Sequence, residues 1–133
     1  MSKIYRIFIS HSWKYHEAYA TMQQFLDAQG ISYHDYSVPK HDPVHTNGTD
    51  RQLYKAIDAK IKNCSGVIIL AGVYSSYSKW INAEIQISRA YEKPIIAVEP
   101  WASEKTSVVV KNAADKVVRW NGKSLADAVK DFF

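Results

Sequence analysis

One acid in this chain falls where an acid is costly. The stretch Ser78-Lys79-Trp80-Ile81-Asn82-Ala83-Glu84-Ile85-Gln86-Ile87-Ser88-Arg89-Ala90-Tyr91 reads as a helix between a Ser/Tyr-rich segment and Lys93-Pro94. At roughly 100° per residue, Trp80, Ile81, Ile85, Ile87, Ala90 and Tyr91 gather on one broad arc. Asn82, Gln86 and Arg89 fall opposite, and Glu84 lies inside the apolar arc, four residues after Trp80. A carboxylate in that place has two readings. It sits at the rim of the core and reaches water or a nearby base, or it is a catalytic group in a cleft beside an indole.

Other chemistry-bearing residues form weaker patterns. The histidines His11, His16, His34, His41 and His45 show no metal-like pairing on a helix, and His41 and His45 share a loop where their spacing fixes no geometry. No metal site is expected. Ser10, His34 and Asp35 could be drawn as a triad, but nothing places Ser10 on a nucleophile elbow, and His34 and Asp35 are strand neighbours that point to opposite faces. The first apolar run ends in Ser10-His11-Ser12-Trp13, which contains no glycine, so neither a dinucleotide fingerprint nor a P-loop is present there. Acids do not cluster at the strand ends as a phosphoacceptor site would need.

The elements that must position Glu84 alternate in type. Ile4–Ser10 is apolar enough for a strand covered on both faces, and Tyr15–Gln29 has a helical period closed by Gly30. Ile31–Tyr36 is a shorter, more polar strand nearer an edge. Ser37–Asp50, with Pro39, Asp42-Pro43 and Asn47-Gly48, is a loop long enough to suspect of function. A helix capped by Thr49 or Asp50 carries Leu53, Ile57 and Ile61, and Gly66–Ala71 is the most hydrophobic strand, the natural centre of a sheet. The Glu84 helix leads to a strand at Pro94–Glu99. Ser103–Ala114 is a loop containing a short helix or an extended piece, and Lys116–Trp120 is a fifth strand. Ser124 is expected to cap a last helix, with Leu125, Val129 and Phe132 on one face.

Five strand–helix alternations without hairpin signals call for a parallel sheet with helices on both faces. The expected fold is α/β and flavodoxin-like, three layers with strand order 2-1-3-4-5. Ligands of such sheets bind beyond the carboxyl ends of the strands, at the switch point between the first and third. The segments at that rim are Ser10–Trp13, Tyr36–Asp50, Gly72–Ser78 and Pro100-Trp101, and Glu84 lies about two turns into the helix that leaves it.

Composition narrows the class. With 133 residues, 47% of them hydrophobic and 23% charged, the chain reads as a single domain over residues 1–133 with a real core. The net charge of +4 is spread over interleaved signs, so nucleic acid is not an expected partner. Cys64 is the one cysteine, read as a buried structural thiol, which excludes a disulfide framework. No stretch has the length of a membrane span, and the first residues lack the apolar region of a signal peptide, so a cytoplasmic protein is expected.

Two boxes in this order resemble TIR domains. Tyr5-Arg6-Ile7-Phe8-Ile9-Ser10-His11-Ser12 is similar to the first-strand box of that family, and Ser78–Ile85 is similar to its segment with a Trp and, four residues later, a Glu. The resemblance covers about residues 4–132 and points most of all to the bacterial TIR-like proteins of Thoeris antiphage defence. It implies cleavage of the nicotinamide–ribose bond of NAD, with NAD as substrate and no permanently bound cofactor. It also implies an ADP-ribose-derived nucleotide, cyclic or conjugated, that activates a downstream effector protein, and self-association for which Trp101 and Trp120 are candidate contacts. The family's catalytic glutamate maps onto Glu84, its first-strand turn onto Ser10, His11 and Ser12, and its mobile loop onto Ser37–Asp50. That loop is rich in His and Pro here, unlike animal signalling TIR domains.

The chemistry agrees with that mapping. Nicotinamide departs as a neutral molecule, and a carboxylate near C1′ stabilises the oxocarbenium-like ribose left behind. Trp13, Tyr36, Tyr74 and Trp80 are the candidate aromatic walls for a base, each equally readable as packing. Lys40 or Arg51 is a weaker candidate for the pyrophosphate. Two other readings stand beside this one: a non-catalytic TIR-like interaction module, and a nucleoside deoxyribosyltransferase-like enzyme using Glu84 as a covalent nucleophile.

Overall fold

The computed structural model describes residues 3–10, 16–37, 50–72, 79–100 and 106–133. In chain order the elements are β1 (Tyr5–Ile9), α1 (His16–Ala28), β2 (Tyr33–Asp35), α2 (Asp50–Lys62) and β3 (Gly66–Leu70). They continue with α3 (Lys79–Ala90), β4 (Ile95–Val98), α4 (Val108–Ala113), β5 (Lys116–Val118) and α5 (Gly122–Phe132). The strands form one sheet in the order β2-β1-β3-β4-β5, with every pairing parallel. This is the three-layer, flavodoxin-like α/β arrangement expected from the alternation of elements.

Period-two alternation along the strands divides the core into two layers. Ile7, Ile9, Ile68, Leu70, Ile96 and Val98 face one side, where Met22 and Leu26 of α1 and Leu125 and Val129 of α5 cover them. Phe8, Val67, Ile69, Ala71, Ile95 and Ala97 face the other, beneath Ile57 and Ile61 of α2, Ile81 and Ile85 of α3 and Val110 of α4. All five residues of β3 are buried, as befits the central strand. β2 is the edge, only three residues long, and all of them are at least partly exposed. Its shortness agrees with the polarity of Tyr33-His34-Asp35, which offers little to bury.

Several local expectations are revised. In the described part of the Ser103–Ala114 region the short-helix option holds: α4 is started by Ser107, whose buried hydroxyl accepts from the Val110 N–H at 3.2 Å. The last helix begins at Gly122 and its cap is Asn121, not Ser124. The Ser124 N–H donates to Asn121 Oδ1 at 2.9 Å, so Ser124 receives the cap. Phe132 lies exposed at 40% rather than on the buried face. Trp120 is half-buried, its ring edge-on to Phe25 with centroids 5.3 Å apart, so it is a packing residue; Trp101 lies outside the described residues. Cys64 is buried as expected.

Helices α1 and α3 end in the same way. After α1, the Gly30 N–H donates to the Asp27 carbonyl and the Ile31 N–H to that of Leu26. After α3, the Glu92 N–H donates to the Arg89 carbonyl and the Lys93 N–H to that of Ser88. This paired closure requires one residue in left-handed conformation. Gly30 takes it at φ 73°, and Glu92 takes it at φ 54°.

Candidate functional site

The site forms at the carboxyl ends of the paired strands β1 and β3. Ser10 follows β1 directly, and its N–H donates to the Ile68 carbonyl on β3 at 2.8 Å. Two residues after Phe8, its side chain shares the face that carries α2 and α3. Its hydroxyl donates to Glu84 Oε1 at 3.0 Å across 74 positions of sequence. Glu84 has no exposure and Ser10 has 7%. The water-facing form of the rim reading is therefore overturned: Glu84 does not reach water, because α3 turns it inward beside Ile81 and Ile85, both core residues. A buried carboxylate keeps its polarity only with partners, and the Ser10 hydroxyl is one.

Helix α3 departs from the expected arc at its far end. Its buried residues are Ile81, Glu84, Ile85, Ile87 and Ser88. Ala90 and Tyr91 are exposed, and the Tyr91 hydroxyl lies 3.1 Å from both carboxylate oxygens of Asp58 on α2. Ser88 takes the inward place, its hydroxyl donating to the Glu84 backbone carbonyl at 2.6 Å. A serine can occupy a buried helical position when it satisfies itself on the preceding turn in this way.

Two of the aromatic candidates lie in the same layer. Tyr36 and Trp80 are partly buried against the core under α2 and α3. The Lys60 ammonium sits 4.9 Å from the Tyr36 ring centroid, and that of Lys79 sits 5.2 Å from the Trp80 ring. His11, Ser12, Trp13 and Tyr74 lie outside the described residues, as do Lys40 and nearly all of the loop after Ser37; Arg51 is exposed on α2. The paper triad does not form: Ser10 bonds Glu84, while Asp35 accepts from Gln23 Nε2 at 3.1 Å, from the Tyr19 hydroxyl and from the Ser37 N–H. Among the described residues no three His, Cys, Asp or Glu side chains gather as a metal centre would require.

Sequence reading passed over two residues beside the site. The Ser107 N–H donates to the Ala71 carbonyl just beyond β3, next to an antiparallel bridge between Gly72 and Thr106. A serine before Val108-Val109-Val110-Lys111 was a capping signal, but the β-branched run read equally well as extended. Ser37 accepts from the Ile9 N–H through its hydroxyl at 3.1 Å, and only the folded register makes that visible.

A parallel sheet in this order, with an acid buried beyond the carboxyl ends of β1 and β3, defines a flavodoxin-like α/β domain with its candidate site at the topological switch point. The chain belongs to the family of the Thoeris protein ThsB TIR-like domain, whose model matches residues 8–105 and so spans both Ser10 and Glu84. Among solved structures it is similar to the CMP N-glycosidase BcmB of Clostridium botulinum. The TM-score is 0.58 and the identity 17%, over 94% of this chain and 98% of that one, a likeness of fold. Comparison with curated proteins finds no match.

Proposed function

We propose that the chain is an NAD-cleaving TIR-like enzyme of antiphage defence in which Glu84 acts at the ribose C1′. The observation that carries the reading is the fully buried Glu84 carboxyl, held by Ser10 at the switch point of the sheet. A fold has no structural need for an acid there, and burial makes its field strong where charge develops. The C1′–N bond breaks with its electron pair passing to the nicotinamide nitrogen, which neutralises the pyridinium. The carboxylate faces the oxocarbenium-like sugar until water, or a nucleophile on the nucleotide itself, adds at C1′ and loses a proton. Hydrolysis yields ADP-ribose; addition from within the molecule yields a cyclic isomer; addition of another small molecule yields a conjugate. Such a nucleotide serves to activate an effector protein. In this reading the domain, residues 1–133, works in the cytoplasm and self-associates, with no resident cofactor.

A second substrate class is favoured by the likeness to a CMP N-glycosidase. Cytosine leaves as an anion unless it is protonated, so a nucleoside monophosphate demands an acid that NAD does not. Wild-type and Glu84→Gln protein incubated at high concentration with NAD, and separately with CMP, separate the possibilities by chromatography and mass spectrometry. Nicotinamide release that vanishes in Glu84→Gln is the expected result, and the mass of the nucleotide names the product. Cytosine release alone would transfer the reading to a nucleotide glycosidase. No release of either base would leave an interaction module.

A further inference from the structure

We infer that Ser10 is a positioning residue for Glu84 rather than a contact for the sugar, and that Ser37 sets Ser10 through the end of β1. The inference rests on the catalytic reading of Glu84.

The parallel ladder between β1 and β2 runs as far as Ile7 opposite Asp35, and the Tyr36 N–H donates to the Ile7 carbonyl at 2.9 Å. The next N–H of β1 on that side belongs to Ile9. A backbone carbonyl would ordinarily receive it, but here the Ser37 hydroxyl does, at 3.1 Å. One residue later the Ser10 N–H turns to the other side and donates to Ile68 of β3 at 2.8 Å. The backbone that carries Ser10 is thus pinned from both neighbouring strands, by a side chain on one side and the main chain on the other. The Ser10 hydroxyl is aimed from this fixed point at Glu84 Oε1, 3.0 Å away.

Ser37 is itself held. Its N–H donates to Asp35 Oδ1 at 2.8 Å, and the Tyr19 phenol donates to Asp35 Oδ2. With its N–H held on Asp35, Ser37 presents its hydroxyl oxygen to accept from the Ile9 N–H. Ser10, for its part, directs its one O–H at the carboxylate, so toward a sugar hydroxyl it is left only as an acceptor. A carboxylate on a long side chain needs its orientation fixed if it is to face C1′, and a displacement of about 1 Å costs about a hundredfold in rate.

Steady-state kinetics on Ser10→Ala, Ser10→Thr, Ser37→Ala and Ser10→Ala/Ser37→Ala test the chain of contacts, with NAD as substrate. Expected is a loss of about ten- to hundredfold in kcat for Ser10→Ala with KM within about twofold, and recovery in Ser10→Thr, which keeps the hydroxyl. Ser37→Ala loses less, and the double variant falls no lower than Ser10→Ala alone, because both act through one bond. A raised KM with unchanged kcat in Ser10→Ala would make Ser10 a substrate contact and overturn the inference. Losses that multiply in the double variant would overturn the link to Ser37. Isotope-edited infrared spectra, with the Glu84 band identified by its loss in Glu84→Gln, read the arrangement without turnover. A band that shifts in Ser10→Ala and returns in Ser10→Thr upholds the contact even if no base is released, in which case the catalytic reading alone fails. An unshifted band sinks the inference.

Discussion

The Ser10 hydroxyl, just beyond β1, and the Glu84 carboxyl, on α3, meet at 3.0 Å in a place with almost no solvent. This contact joins the sheet to the helix layer above it through a polar bond set among apolar neighbours. Burying an acid there works against folding, and the Ser10 hydroxyl returns part of the lost hydration. Glutamine has the same shape and retains an oxygen that can accept from Ser10. Glu84→Gln is therefore expected to unfold at equal or higher denaturant concentration, with a gain of up to about 1 kcal/mol, while base release falls at least about a hundredfold. Chemical denaturation and product chromatography on one preparation check both halves. A strongly destabilised variant would show that the acid is structural.

Glu92 occupies a position that Gly30 fills at the equivalent end of α1. A side chain in left-handed conformation costs about 1 kcal/mol, and Glu92 sits there at φ 54°. Glu92→Gly should raise stability by about 0.5–1 kcal/mol, measured by urea midpoint at constant slope. The same logic makes Gly30→Ala destabilising by strain alone, since nothing lies within 4 Å of a Cβ built at Gly30.

Asn121 and Ser124 differ in role although both lie in the first turn of α5. The Asn121 side chain satisfies the Ser124 N–H, so Asn121→Ala should cost about 1 kcal/mol. Ser124→Ala should change stability by no more than about 0.5 kcal/mol. Thermal melts of the two variants separate them, and the reverse ranking would restore Ser124 as the cap.

Alkaline pH should destabilise the domain through two overlapping titrations. Burial pushes the Cys64 thiol from 9.0 up to about 11. Burial, then the hydrogen bond to Asp35, pushes the Tyr19 phenol from 10.0 up to about 12, and burial with the charges of Asp27 and Asp35 does the same for Tyr33. In each case the fold favours the protonated form. The stability that these groups contribute is complete below pH 9 for the thiol and below pH 10 for the phenols, and it is lost as pH rises toward 11 and 12. Denaturant midpoints measured across that range should fall, and Tyr19→Phe together with Tyr33→Phe should flatten the upper part. At neutral pH Cys64 should react with a thiol reagent only after unfolding.

Much of this was legible in the chain. Gly66–Leu70 reads as a central strand because every residue is apolar, and all five are buried. Glu84 stands out because Trp80 and Ile81 precede it at helical spacing, and it is buried along α3 together with Ile81 and Ile85. Where reading along the chain misplaced residues, two local options had similar energies. Asn121 and Ser124 are both good caps, Val108-Val109-Val110 suits helix or strand, and Ala90 and Tyr91 continue an arc that the helix abandons in its last turn.

The sequence by itself therefore determined the alternation of elements, the parallel sheet and the anomaly of an acid on an apolar face, since each is a matter of period and of transfer free energy along a short stretch. Only the tertiary structure decided that Glu84 is fully enclosed, that Ser10 hydrogen-bonds it, and that Ser37 completes the ladder beside it. Those contacts join positions 74 and 28 residues apart. No local preference specifies them; they exist because sheet order and strand register set the carboxyl end of β1 beside that of β2, and packing brings α3 over Ser10.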